Sequence, residues 1–149
     1  GDICDSDDDD DTLSDDAEAV LGTRPLDADT DDDGLSDGRE ERLRTDMRRI
    51  DTDRDGLPDG VEAGARRPVA DPPGRATGTR LGRFRPDRDP LTRTDPLRRD
   101  TDGDRLADGR EDRNHNGRRE LAETDPRHRD TDRDAVPDGA ERFPLDPRR

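Results

Sequence analysis

The apolar positions of this chain are few, and in its first half they recur at a fixed distance. Leu13, Leu35 and Leu57 stand 22 residues apart, each inside an acidic stretch. Strands are barely signalled, and Pro and Gly recur too often for long helices or strands. We therefore predict mostly irregular coil with short helical turns, arranged as an extended repeat array without a conventional hydrophobic core.

One short helix is predicted after the second acidic stretch. Ser36 or Asp37 can cap its start, and the segment reaches Arg44. Leu43 and Met47 lie four residues apart in this region. We expect both side chains to pack on a neighbouring loop.

The composition explains why an ordinary core is not expected. Of 149 residues, 22% are hydrophobic, 48% are charged and 1% are aromatic, and the formal net charge is −15. Such a chain cannot bury enough apolar surface to offset the conformational entropy lost on folding. It should be disordered unless bound cations order it, so metal binding and folding are expected to be one event.

Composition also excludes several functional classes. The acidic balance argues against nucleic-acid binding, which needs positive patches. No apolar run approaches transmembrane length and no signal peptide is recognisable, so membrane insertion is not expected. An enzyme is not expected either, since no core is available to build a concave pocket. The chain opens with Gly1 rather than Met, and we expect it to be processed or part of something longer.

One acidic pattern, D-x-D-x-D-G-L-x-D-G-x-E, is repeated along the chain. Its six copies are residues 7–18 (loop 1, DDDDDTLSDDAE), 29–40 (loop 2, DTDDDGLSDGRE), 51–62 (loop 3, DTDRDGLPDGVE), 100–111 (loop 4, DTDGDRLADGRE), 112–123 (loop 5, DRNHNGRRELAE) and 130–141 (loop 6, DTDRDAVPDGAE). A single copy could arise by chance in an acidic tail, but an array of copies points to a repeated binding loop. Positions within each loop are numbered 1 to 12 below.

The spacing of oxygen donors in these loops is typical of a calcium site. Calcium takes six to eight oxygen ligands, which carboxylates at positions 1, 3, 5 and 12 and the main-chain oxygen at position 7 can supply. Magnesium keeps several waters, and zinc is disfavoured because the chain holds two His and one Cys. The predicted ligands are Asp7, Asp9, Asp11, Leu13 and Glu18; Asp29, Asp31, Asp33, Leu35 and Glu40; Asp51, Asp53, Asp55, Leu57 and Glu62; Asp100, Asp102, Asp104, Leu106 and Glu111; Asp112, Asn114, Asn116, Arg118 and Glu123; and Asp130, Asp132, Asp134, Val136 and Glu141.

The loops are predicted to differ in affinity. Glycine at position 6 suits a left-handed turn, and loops 2, 3 and 5 have it, whereas Thr12, Arg105 and Ala135 replace it elsewhere at a cost of roughly 1 kcal/mol or more. Loop 5 carries two asparagines in place of aspartates, which lowers its charge. We expect loops 2 and 3 to bind most tightly. One divalent cation in each of the six loops would move the formal net charge from −15 to −3.

The chain divides into residues 1–62 with loops 1 to 3, a basic segment 63–99, and residues 100–149 with loops 4 to 6. The basic segment holds ten Arg, four Asp and half of the twelve prolines. A stretch this long is either functional or a flexible linker. Two readings stay open: its arginines pair with the chain's own acidic loops, or it docks an anionic partner or a neighbouring copy.

The loops differ from an EF-hand in ways that indicate a family. The apolar residue stands at position 7 rather than 8, and Asp and usually Gly follow at positions 9 and 10. Together with the T-D-P linkers at residues 94–96 and 124–126 and the opening GDICDSDDDD, the chain resembles bacterial thrombospondin type 3-like repeats. The resemblance covers nearly the whole chain. It implies an extended calcium-bearing rod, found in secreted and surface proteins as a spacer or scaffold.

The resemblance also implies a second ion in each repeat. Similar loops in a bacterial toxin subunit bind paired calcium ions and use an aspartate of the downstream Asp-Pro step. On that analogy Asp46, Asp95 and Asp125 are second-ion ligands here, with Asp146 as a further candidate, whereas Arg24 occupies the corresponding place in the first linker. Cys4 has no internal partner, so it is either an unpaired thiol or part of a truncated disulfide-bearing repeat.

Three functional hypotheses follow. The first is a calcium-ordered structural module outside the cell, serving as a spacer or as a self-associating subunit of a fibre or matrix. The second is a calcium-dependent interaction module that docks another surface protein through residues 63–99. The third is a disordered polyanion that buffers cations or binds basic proteins. An extracellular or cell-surface location is expected, because weak loops need calcium near 10⁻⁴–10⁻³ M.

Overall fold

The computed structural model describes residues 6–74 and 76–148, so Cys4 lies outside the described residues. As predicted, most of the described chain is irregular, and its helices are short. They are α1 (Asp15–Leu21), α2 (Asp37–Leu43), α3 (Asp59–Glu62), α4 (Asp108–Glu111) and a 3₁₀ turn (Asp138–Ala140). The described part contains no strand, and Asp27 and Thr77 form an isolated parallel β-bridge. None of these helices has both the length and the apolar character that a membrane-spanning helix requires.

Every helix begins at position 9 of a loop, and the aspartate there explains why. Its carboxylate accepts the main-chain N–H of position 2 at 2.8–2.9 Å in loops 1, 2, 3, 4 and 6, which closes each loop on the first helical turn. An acidic residue is also favoured in a first turn, where free N–H groups lie. The predicted helix from Ser36 or Asp37 to Arg44 is confirmed: Ser36 is the N-cap residue of α2, and Arg44 ends it in a left-handed conformation.

Consecutive loops are joined by one repeated hydrogen bond. The N–H of the position 10 glycine donates to Oδ2 of the position 5 aspartate in the preceding loop. The four pairs are Gly38 with Asp11, Gly60 with Asp33, Gly109 with Asp55, and Gly139 with Asp104. Glycine is needed because the loops touch: a Cβ on Gly60 would lie 2.1 Å from the main-chain oxygen of Asp33. The loops therefore stack in the order 1, 2, 3, 4, 6.

A second contact ties each linker to the loop before it. The threonine hydroxyl of the linker bonds the position 12 glutamate, at 3.0 Å from Thr45 to Glu40 and at 2.9 Å from Thr94 to Glu62. Thr23 bonds Glu18 in the same way, and Thr124 lies close enough to Glu111 to lower the pKa of its carboxyl group. Residues 63–93 and loop 5 are thus both inserted directly after a position 12 glutamate, and the stacking continues past them.

Acidic residues fill most of the buried interior in the described part of the chain. The hydrophobic cluster consists of Leu35, Ala63 and Ala65, with Leu43 and Phe84 packed against it. Buried carboxylates outnumber buried hydrophobic residues. The chain exposes 9029 Å², whereas a compact monomer of 16.7 kDa would expose about 7,600 Å². The described interior therefore consists mainly of acidic side chains around this small hydrophobic cluster.

Candidate metal centres

Three carboxylates converge at the start of each of the first four loops. In each of them a carboxylate oxygen from positions 1, 3 and 5 lies within 4.8 Å of the other two. The groups are Asp7, Asp9 and Asp11; Asp29, Asp31 and Asp33; Asp51, Asp53 and Asp55; and Asp100, Asp102 and Asp104. Such spacing allows all three oxygens to contact one cation.

Main-chain N–H groups hold these carboxylates in place. In loop 2, Asp29 accepts from Asp32 at 2.8 Å and from Gly34 at 3.0 Å, and Asp33 accepts from Leu35 at 2.7 Å. The bonds from position 6 to position 1 and from position 7 to position 5 recur in all six loops. The local sequence therefore folds each loop around its own carboxylates.

The turn that makes these bonds uses two left-handed residues. The predicted positive φ at position 6 is confirmed in all six loops, including the three without glycine, where φ is 83° at Thr12, 84° at Arg105 and 79° at Ala135. Position 4 also has positive φ in every loop, which sequence reasoning missed. In loop 4 glycine stands at position 4, as Gly103, rather than at position 6.

In five of the loops, buried carboxylate oxygens at positions 3 and 12 lack a hydrogen-bond partner. Oδ2 of position 3 is buried and unpartnered in Asp9, Asp31, Asp53, Asp102 and Asp132, and so is at least one oxygen of position 12 in Glu18, Glu40, Glu62, Glu111 and Glu141. No described donor contacts the main-chain oxygen of position 7 in these five loops. Buried carboxylate oxygens without partners are strongly unfavourable, and a bound cation removes the penalty.

The electrostatics of loop 2 are consistent with an ion site. Burial, and then repulsion from Asp31 and Asp33, raises the pKa of Glu40 to about 11. Burial and the neighbouring Asp29 raise the pKa of Asp31 to about 8. Burial likewise raises the pKa of Glu62 in loop 3 to about 10, although the Thr94 hydroxyl lowers it. Without a cation, the folded loops favour protonated carboxyl groups, because like charges are buried together.

A further acidic group spans two loops. Oxygens of Asp33 and Glu40 in loop 2 lie within 4.8 Å of one another and of Asp59, the position 9 residue of loop 3. Sequence reasoning did not place position 9 among the ligands. The available signal was that an aspartate occupies this position in five loops.

The aspartates expected to bind a second ion have other neighbours in the structure. Asp46 lies 3.4 Å from Arg49 and 3.9 Å from Arg48. Asp95 accepts the N–H of Leu97 at 3.1 Å. Asp125 contacts Nδ1 of His128 at 2.9 Å, and although burial raises its pKa, the Arg127 N–H and His128 lower it overall. Asp46 is still close enough to Asp59 to raise the pKa of that carboxyl group, after burial and other groups.

Loop 5 has the shared backbone but a different interior. Nδ2 of Asn114 donates to Glu120 and Glu123 at 3.0 Å, and Nδ2 of Asn116 donates to Glu120 at 3.1 Å. The second oxygen of Glu123 accepts the N–H of Glu120 at 3.0 Å, and both oxygens of Asp112 accept main-chain N–H groups. Amide donors thus satisfy the glutamates that a cation would contact. Sequence reasoning missed Glu120, which stands at position 9.

The basic segment contacts the acidic loops of its own chain. Arg80 lies 3.2 Å from Asp27 and 3.7 Å from Asp32, and the Thr79 hydroxyl donates to Asp29 in loop 2. This is the contact expected if the segment pairs with the chain's own loops. Asp29 is fully buried, whereas the position 1 aspartates of loops 1, 3, 4 and 6 are half-buried.

No protein-family model matches the chain, and searches of curated proteins and of solved structures find no match either. The resemblance to thrombospondin type 3-like repeats therefore stays a prediction.

Proposed function

We propose that this chain is a calcium-binding structural module that Ca²⁺ orders, acting outside the cell or at its surface as a rigid spacer or as a subunit of a fibre or matrix. The main support is the recurring pair of buried, unpartnered oxygens at positions 3 and 12. Loops 1, 2, 3, 4 and 6 are the principal sites. Loop 5 is the weakest, since its glutamates already have donors.

Calcium is the ion that this donor set favours. Each principal loop offers only oxygen, from carboxylates at positions 1, 3, 5 and 12 and from the main chain at position 7. Calcium accepts such an all-protein shell, whereas magnesium retains several waters. The ion would neutralise carboxylates that burial and mutual repulsion now disfavour.

Ion binding would order the whole array because the ligands also carry the contacts between loops. Asp33 is a ligand of loop 2, and it accepts the Gly60 N–H of loop 3 at 2.7 Å. Glu40 is another ligand, and it accepts the hydroxyl of Thr45 in the following linker at 3.0 Å. An ion that holds these side chains in one conformation therefore also holds the neighbouring loop and linker. The ions would take the place of a hydrophobic core.

We also propose a second ion at the junction of loops 2 and 3, held by Asp33, Glu40 and Asp59. These three carboxylates lie within 4.8 Å of one another. Asp46, which the family analogy favours for this role, lies close enough to Asp59 to raise its pKa and would take part from the edge of the site.

The alternative is a calcium-dependent interaction module that docks a partner through residues 63–99. It is supported by arginines of this segment that remain exposed, among them Arg83, Arg85 and Arg88. The contacts of Arg80 favour the structural module, because they commit part of the segment to the chain's own loops.

The proposal is tested by calcium titration of the chelator-treated protein. We expect circular dichroism to report a gain of structure on adding calcium, and isothermal titration calorimetry to report at least five ions per chain. Magnesium at equal concentration should produce a much smaller change. The absence of any structural response to calcium would refute both the structural module and the interaction module. The remaining hypothesis would then be a disordered polyanion. Light scattering with and without calcium then separates a fibre subunit from a lone spacer.

A further inference from the structure

One part of the basic segment covers a single calcium loop. Residues 76–84, called the lid below, lie along residues 26–34, and the contact begins at the β-bridge between Asp27 and Thr77. The main-chain bonds from Ala28 to Thr77 and from Thr77 to Leu26 are both 2.8 Å long. At the far end, Phe84 packs on Gly34, where a Cβ would lie 2.3 Å from its ring.

In the middle of the lid, Thr79 contacts a predicted ion ligand directly. Its hydroxyl oxygen accepts the Val69 N–H at 2.7 Å, so its own proton is free to point at Oδ2 of Asp29. The N–H of Arg80 donates to Asp32 at 2.8 Å. The position 1 aspartates of loops 3, 4, 5 and 6 accept main-chain N–H groups and no side-chain hydroxyl from the described part of the chain.

We propose that the lid makes loop 2 the slowest site to release calcium, and that Thr79 is the residue that positions Asp29 for the ion. The inference rests on the proposed calcium function and adds a kinetic order among the sites. Loop 2 has the same ligand types as loop 3. Asp51 of loop 3 accepts main-chain N–H groups, whereas Asp29 of loop 2 also accepts the Thr79 hydroxyl from the lid. Groups that orient a metal ligand without touching the metal typically contribute about 10–100-fold to affinity.

The coupling is reciprocal by thermodynamic linkage. If the lid holds Asp29 in the ion-binding orientation, the ion in loop 2 must also hold the lid closed. The lid would then keep the protein's basic segment on its own surface while calcium is bound. Loss of that ion would free residues 76–84, including the guanidinium of Arg80, for another acidic surface.

The first test is stopped-flow release of calcium into a fluorescent chelator. We expect several phases, with the slowest lost in Glu40→Gln because that variant removes a ligand of loop 2. Thr79→Val should accelerate the slowest phase about 10–100-fold, and Thr79→Ser should restore it. Thr92→Val is the matched control, because the Thr92 hydroxyl donates to the main-chain oxygens of Asp89 and Gly117, which are both outside loop 2.

A second test does not depend on a Thr79 variant that folds. Trypsin should cleave after Arg80 slowly in the calcium-loaded protein and faster in Glu40→Gln, while cleavage after Arg142 stays unchanged. An unaltered slowest phase in Thr79→Val, or equal cleavage after Arg80 in both proteins, would overturn the lid but leave calcium binding intact. Absence of any calcium-dependent phase would instead overturn the proposed function itself.

Discussion

The contact between loops 2 and 3 can be tested by replacing Gly60 with alanine. Gly60 lies in α3, and alanine is normally favoured over glycine in a helix by about 1 kcal/mol. At this position, however, a Cβ would lie 2.1 Å from the main-chain oxygen of Asp33. Main-chain atoms cannot rotate away, so the loops must separate, which also breaks the 2.7 Å bond from Gly60 to Asp33.

The expected loss of stability follows from these two effects. Overpacking typically costs about 1–3 kcal/mol, and a hydrogen bond to a charged group is worth about 1.5–3 kcal/mol. After subtracting the helix preference, we expect Gly60→Ala to lower the free energy of unfolding by roughly 2–5 kcal/mol. Urea denaturation followed by circular dichroism in saturating calcium measures this quantity directly.

Gly82→Ala is the matched control. No atom lies within 4 Å of a Cβ built on Gly82, so this variant should change stability by less than about 1 kcal/mol. The stacking of loops described above would be refuted if Gly60→Ala and Gly82→Ala unfolded at the same urea concentration. A fall in stability confined to Gly60→Ala would show that the joint between the two loops contributes to the folded state.

Three further predictions concern the candidate ion sites. Burial raises the pKa of several carboxyl groups, such as that of Asp31 to about 8, so without calcium the folded state binds more protons than the unfolded state. The stability of the calcium-free protein should therefore fall as pH rises from about 4. Circular dichroism in chelator across pH 4–8 measures this trend, and the opposite trend would contradict the prediction. Glu62→Gln should lower the number of bound ions measured by calorimetry by one. It should also lower the melting temperature more than Glu141→Gln, because Glu62 is buried and Glu141 is half-buried. Equal shifts in melting temperature would count against ion-ordered stacking. Asp59→Asn should remove the ion proposed between loops 2 and 3, and an unchanged ion count by native mass spectrometry would exclude that site.

The loops themselves were predictable because their structure is local. Alternating aspartates bond N–H groups two to five residues ahead, so the D-x-D-x-D pattern alone indicates the turn. The helix after loop 2 was predictable for the same reason, since Ser36 and Asp37 mark its start. The left-handed residue at position 4 was missed because aspartate, arginine, glycine and histidine all occupy it.

Features that need a distant partner were not predictable from one loop. The position 10 glycine contacts the preceding loop, which lies 27 residues away in sequence for Gly60 and Asp33. Thr79 reaches Asp29 across 50 residues, and nothing in the pattern around Thr79 signals that contact. The candidate junction ligand Asp59 was likewise visible only once two loops were seen together.

The placement of the two insertions has a mechanical consequence. The array is held across them by the bonds of Thr94 to Glu62 and of Gly139 to Asp104, so tension applied along the array would bypass residues 63–93 and 112–123. If those contacts broke, residues 63–93 could extend by about 100 Å and residues 112–123 by about 40 Å. An array built this way would lengthen in two steps under load before its acidic loops had to unfold.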